Sequence, residues 1–194
     1  MPSPFLYFAD ERLSPAELSA ARLDGHLVEL GEAYIPADAV ETRELRAGSL
    51  QSLLRDTLAA THLSAAWIHG ALNEPPARHT VQRAVARRLH HVVGRRLLYR
   101  DLRVDPLDLV RICGVWVTLP VRTLADLSRV ADDEHARAAT MMADAAPALA
   151  VQAVEWLDTH GALPNKRAAL SFLRGLAARD PQRNAQEDVT RYTS

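Results

Sequence analysis

The chain has 194 residues, 48% of them hydrophobic, with a formal net charge of −1, which suits one ample domain or a small module plus a larger one and excludes a disordered protein. No stretch approaches the roughly 20 uninterrupted apolar residues of a bilayer span, and "MPSPFLYFADERL" lacks a basic start and a long apolar core, so a soluble, cytoplasmic protein is predicted. The single cysteine, Cys113, excludes an internal disulfide and a cysteine-rich metal site, and between Ile112 and Gly114 it is expected to be a small buried hydrophobe.

The first predicted element is a helix from Pro15 to Asp24. Ser14 and Glu17 form a capping box, Pro15 takes the first helical position and Gly25 stands where a helix stops. "HLVEL" and "AYIP", separated by Gly31-Glu32, read as a β-hairpin. A capped helix followed by a hairpin is how a winged helix ends, and the helix before the wing is the one that enters the major groove. A second box, Asp38 with Glu41, opens a long helical pattern through "VETRELRAGSLQSLLRDTLA", weakened in the middle by Gly48 and Ser49.

Thr61 then caps a short helix in "THLSAAWIHGAL", which ends at Gly70; Ser64, Ala65 and Ala66 permit close packing there. From His79 to Thr118 the runs "HTVQRAV", "RRLLYR", "DLVRIC" and "VWVT" predict strands of a small sheet, with a candidate short helix in "ARRLHHVV". After Pro120 the pattern is helical: 120–130, 132–145, 147–160 closed by Gly161, and 166–178, followed by a frayed polar tail over 181–194.

Most chemical constellations fail on spacing. His62 lies two residues from Ser64, which turns the two side chains to different sides of a helix, and no G-x-S-x-G elbow is present. His62 and His69 stand about 10 Å apart along a helix axis, too far to share a metal. His90 and His91 are adjacent and diverge. Asp101, Asp105 and Asp108 could form a Mg²⁺ cluster, but Pro106 and the apolar neighbours favour turn and cap roles. Only Lys166 is lysine, and no glycine-rich phosphate loop occurs. No cofactor, no metal and no enzyme activity are expected.

Charge is unevenly spread. Met1 to Val40 carries seven acids against Arg12 and Arg22, whereas 78–103 carries eight arginines, Arg78, Arg83, Arg87, Arg88, Arg95, Arg96, Arg100 and Arg103, against Asp101 alone. The arginines can track a phosphate backbone, with His79, His90 and His91 adding charge as pH falls. The other reading is a solvated face paired with the acidic N-terminus of this or another subunit. Arg122 and Asp126, at i,i+4 spacing in "GVWVTLPVRTLADLSR", read as a salt bridge at a strand-to-helix joint, with Val121, Leu124, Ala125 and Ser128 toward the core.

Together "ELSAARLDGHLVELGEAYIP", "THLSAAWIHGAL" and "GVWVTLPVRTLADLSR" resemble, in order and interval, the AbiE-type abortive-infection antitoxins, the type IV antitoxins and their actinobacterial relatives. The resemblance runs from about Ser14 to Val130 and takes Thr118, Pro120, Arg122, Thr123 and Asp126 as a structural family motif. It implies an N-terminal winged helix on promoter DNA, a mixed α/β C-terminal domain and a nucleotidyltransferase-like toxin as partner. It carries over no catalytic residues. Only 13 residues precede Ser14, which implies a shortened winged helix, and the C-terminal endonuclease domain of longer relatives is not expected.

The expected fold class is α+β: a truncated winged-helix-like module at 1–38, an antitoxin-like α/β domain with C-terminal helices at 39–180, and a polar tail at 181–194. The expected function is that of an antitoxin-like transcriptional regulator. It would bind double-stranded DNA of its own promoter, with Arg22 as a further candidate contact, and act as a dimer. The alternative is a non-catalytic module that docks a toxin or another acidic protein without binding DNA. No membrane contact is expected.

Overall fold

The computed structural model describes residues 4–10, 12–89, 92 and 94–191, with side chains through residue 179. The chain is α+β: helices combine with a five-stranded mixed sheet and a two-stranded sheet. Backbone contacts divide it into two units, residues 1–119 and 120–194. Among the described residues no helix is long and apolar enough to cross a membrane.

The first unit opens as its local signals require. Helix α1 (Pro15–Leu23) starts on the full capping box, in which Ser14 Oγ accepts from Glu17 N at 3.3 Å and Glu17 Oε2 accepts from Ser14 N at 2.8 Å. Strands β1 (Leu27–Leu30) and β2 (Ala33–Pro36) form the hairpin, and Gly31 in its turn has φ +59, a left-handed value that glycine adopts without strain. Tyr7 adds an antiparallel bridge to Tyr34.

The next segment departs from the expected long helix. Thr42, not Asp38, is the cap: its Oγ1 accepts from Leu45 N at 3.2 Å, and α2 covers Arg43–Ser49. After one more turn, α3 (Gln51–Leu54), Arg55 adopts φ 50 and ψ −154 and ends the helical path. Leu58–Ala60 then becomes β3, the middle strand of the large sheet. Leucine and alanine favour helix locally, but pairing on both sides and full burial override that preference.

Helix α4 (His62–Ile68) follows, then β4 (His79–Arg83), β5 (Leu97–Arg103), a 3₁₀ turn at Pro106–Asp108, β6 (Leu109–Ile112) and β7 (Val115–Thr118). The strand order is β5-β4-β3-β7-β6; β4–β5 and β3–β7 are parallel, and β3–β4 and β6–β7 antiparallel. Ala86 to Leu89 form no helix, and His90, His91 and Val93 lie outside the described residues. Cys113 is not a buried core residue: half-buried, with φ +46, it forms the β6–β7 turn together with Gly114.

Alternation along the strands sends Leu58, Ala60, Val81, Leu97, Ile112, Val115 and Val117 into one apolar cluster. The cluster also holds Leu45 and Ala47 of α2, Leu50, Ala65, Trp67 and Ile68 of α4, and Leu30 and Ile35 of the hairpin. The hairpin in segment 1–38 therefore shares a core with the sheet. Each fully buried leucine or isoleucine contributes about 1.5–3 kcal/mol. The alternate residues Ala59, Thr80, Gln82 and Thr118 are buried too.

The second unit contains α5 (Pro120–Ser128), α6 (Asp133–Ala145), α7 (Ala148–Thr159) and α8 (Lys166–Arg191). Asp132 caps α6 by accepting from His135 N at 2.9 Å. Helix α5 packs on α7, and α7 on α8. Leu124 and Leu127 of α5, Ala153 and Leu157 of α7, and Ala169 and Leu173 of α8 are all buried. The backbone of α8 stays helical to Arg191, where a frayed tail was expected from residue 181.

Candidate functional site

The arginines of 78–103 lie on and around the β4–β5 edge of the sheet, and many of their guanidinium groups are engaged within the protein. Arg83, on β4, is buried. Its Nη1 donates to the carbonyl oxygens of Ala86 at 2.9 Å, Arg87 at 3.1 Å and Val85 at 3.5 Å, and its Nε lies 2.8 Å from Asp101 Oδ1. Asp101 also faces Arg88 Nε at 3.6 Å and accepts from the Tyr99 hydroxyl at 2.9 Å. The Tyr99 hydrogen bond, and then the two arginines, hold the Asp101 carboxyl below its usual range, so it stays charged.

Arg96 pairs with Glu32 of the hairpin turn at 2.9 Å, Arg78 donates to the Leu97 carbonyl at 2.7 Å, and Arg100 Nη1 lies 3.0 Å from His62 Nε2. Arg22 of α1 pairs with Glu29 at 3.5 Å. Arg87, Arg95 and Arg103 are exposed, and among the described residues no carboxylate lies within ion-pair reach of them. The pairing of an acidic N-terminal residue with the basic tract thus occurs within one chain through Glu32 and Arg96. The sequence signal for it was the opposite charge of the two segments; their contact depends on the fold.

Behind the arginine surface lies a buried polar cluster. A guanidinium can only donate, so Arg100 makes His62 Nε2 an acceptor and leaves the ring proton on Nδ1, 2.9 Å from Thr61 Oγ1. Thr61 Oγ1 in turn donates to the Thr80 carbonyl at 3.3 Å. These bonds hold His62 at φ +51, a strained value for a non-glycine residue. Ser64 Oγ accepts from Thr80 N at 3.0 Å and lies 3.2 Å from His79 Nδ1.

Sequence spacing did not bring out the Ser64–His79 pair, since 15 residues separate the partners and adjacent elements bring them together. Both residues are fully buried, so no substrate reaches the hydroxyl from solvent. The arrangement orients α4 on β4 and lacks the access that a nucleophile needs. His69 Nε2 donates to the Thr118 carbonyl at 2.8 Å, which ties the end of α4 to β7.

The other acids also have structural partners. Asp105 Oδ1 accepts from Leu107 N at 2.9 Å and caps the 3₁₀ turn, while the Asp108 carbonyl accepts from Leu119 N at 2.8 Å. Among the described residues no group of three His, Cys, Asp or Glu is arranged to hold a metal ion.

The residues of the stretch from Thr118 to Asp126 each have a defined place in the structure. Thr118 and Thr123 are fully buried, and Pro120 starts α5. Asp126 is 2% exposed and accepts from Arg122 Nε at 2.9 Å and Arg129 Nη1 at 3.0 Å. The Arg122 guanidinium also lies 4.9 Å from the centre of the Trp156 ring. Thus the pair is not a surface salt bridge worth a few tenths of a kcal/mol, because its carboxylate sits in the core. Burial runs from Thr123 through Leu127, while Val121 and Ser128 are only half-buried.

The second unit holds a cavity of about 380 Å³, with Arg129, Asp132, Asp133 and Asn165 among its polar lining. Arg129 also donates to the Pro164 carbonyl, Asn165 Nδ2 donates to the Arg129 carbonyl, and Asp132 caps α6. Arg129, Asp132 and Asn165 therefore serve the helix ends of this unit.

No family model matches the chain, and no curated protein matches it. Among solved structures, the crystal structure of the RV2827C protein from Mycobacterium tuberculosis is similar at 16% identity, over 87% of this chain and 76% of that one, with a TM-score of 0.36.

Proposed function

We propose that the protein is a non-enzymatic, antitoxin-like DNA-binding regulator of the AbiE type that contacts the phosphate backbone through the β4–β5 arginine surface. The observation that carries this reading is the exposure of Arg87, Arg95 and Arg103 with no carboxylate partner among the described residues. Exposed arginines left without a carboxylate partner attract a polyanion and release its counterions. Helix α1 is a poor reading helix for the same DNA, because its Arg22 is taken by Glu29.

The test is a fluorescence anisotropy titration with double-stranded DNA from the upstream region of its own gene, repeated across salt concentrations. Three phosphate contacts give a slope of log affinity against log salt of about −2.7. Absence of binding near 50 mM salt, where contacts of this kind are strong, would overturn the reading.

A further inference from the structure

We infer that Arg83 is a positioning residue: it shapes the chain after β4 so that Arg87 is presented to a phosphate, and does not itself touch the ligand. This rests on the DNA-binding reading for its ligand and on geometry alone for the loop.

Arg83 is the one member of the tract that is buried, and its guanidinium is engaged by groups of its own chain. One nitrogen gathers three successive carbonyl oxygens, those of Val85, Ala86 and Arg87, and Nε faces Asp101 on the neighbouring strand. Three carbonyls converging on one cation fix the path of residues 85–87 as a side-chain cap fixes a helix end. The chain that results leaves Arg87 and Arg88 exposed, and Asp101 reaches Arg88 with its second oxygen. Asp101 thus holds the staple and one of the presented arginines at once.

Lysine cannot replace this arrangement. Its ammonium is a single point on a flexible stem, whereas the planar guanidinium places separate donors toward the carbonyls and toward Asp101. Arg83→Lys therefore preserves charge while removing the staple.

Two readouts test the inference on the full chain. In limited proteolysis, trypsin is expected to cleave after Arg87 or Arg88 at least about tenfold faster in Arg83→Lys than in the wild type, because the loop is released from its staple. In the DNA titration, Arg83→Lys should flatten the salt slope by about 0.9, the share of one phosphate contact. It should have no further effect once Arg87 is already alanine. Unchanged proteolysis would overturn the inference, as would an equal loss of affinity in the presence and absence of Arg87. If Arg83→Lys fails to fold, Asp101→Ala, which removes the carboxylate facing Arg83 Nε, should still speed cleavage at the same bonds, and unchanged cleavage there overturns the inference too. If the wild type binds no DNA, the functional reading falls while the proteolysis result still decides the role of Arg83 in the loop.

Discussion

Ser64 Oγ and His79 Nδ1 lie 3.2 Å apart, and neither residue exposes any surface. In an open cleft such a pair would suggest a nucleophile and its base; under full burial it joins α4 to β4. Burial, with a smaller contribution from the Arg96 charge, lowers the His79 pKa from 6.5 to about 4.

The sign of the pH effect follows. The folded protein keeps His79 neutral, so its contribution is fully present above pH 6.5 and is lost as pH falls from 6.5 through about 4. The loss is on the order of 3 kcal/mol, at 1.36 kcal/mol per unit. Urea unfolding at a series of pH values should show a steeper decline below pH 6.5 for the wild type than for His79→Gln. Parallel curves for the two proteins would contradict this.

Asp126 carries a second prediction. Its carboxylate is buried between Arg122 and Arg129, so Asp126→Ala strands two cations and should lower stability by about 3–5 kcal/mol. Arg122→Ala leaves Arg129 in place and removes the contact with the Trp156 ring; about 2 kcal/mol is expected. Denaturant midpoints measure both. DNA affinity of the folded fraction of Arg122→Ala should match the wild type, and a folded variant that no longer binds would refute a purely structural role.

Glu32 links the hairpin to the arginine surface. Burial raises its pKa, and the Arg96 charge only partly offsets this. A raised carboxyl pKa means that the group's contribution to stability is present below 4.5 and is lost as pH rises through the folded value. Relative to the wild type, Glu32→Gln should therefore gain stability as pH rises above 4.5. The same change releases Arg96, and the salt slope of DNA binding should steepen by about 0.9. An unchanged slope would mean that Arg96 does not meet a phosphate.

Gly31 tests the hairpin turn. A Cβ there would fall 2.3 Å from Ser49 Oγ and 3.2 Å from Leu50 Cδ2, on a backbone with φ +59. Ser49 is itself buried and donates to the Arg46 carbonyl at 2.7 Å, so it has little room to move. Gly31→Ala should cost about 2 kcal/mol or more from the left-handed backbone and the overlap, read as a lower thermal midpoint. Gly25→Ala meets nothing within 4 Å and has only its φ of +77 to resist it, so its loss should be smaller.

Local physics was legible in the sequence. The Ser14–Glu17 box, the Gly31 turn and the start of α5 at Pro120 each depend on residues a few positions apart, and each was placed by its residue types. The strands of the basic region also showed in their β-branched and alternating runs. By contrast, Leu58–Ala60 looked helical by propensity, and only pairing on both sides made it a strand.

The candidate site divides along the same line. The sequence by itself determined that eight arginines fall between positions 78 and 103. Only the tertiary structure decided that Arg83 turns inward to three carbonyls, that Arg96 meets Glu32, and that Arg87, Arg95 and Arg103 remain exposed. Residue type fixes the charge that a side chain carries and the conformations its own backbone prefers. Which charge it meets depends on the order and register in which distant strands pair, and that is set by the burial of the whole sheet.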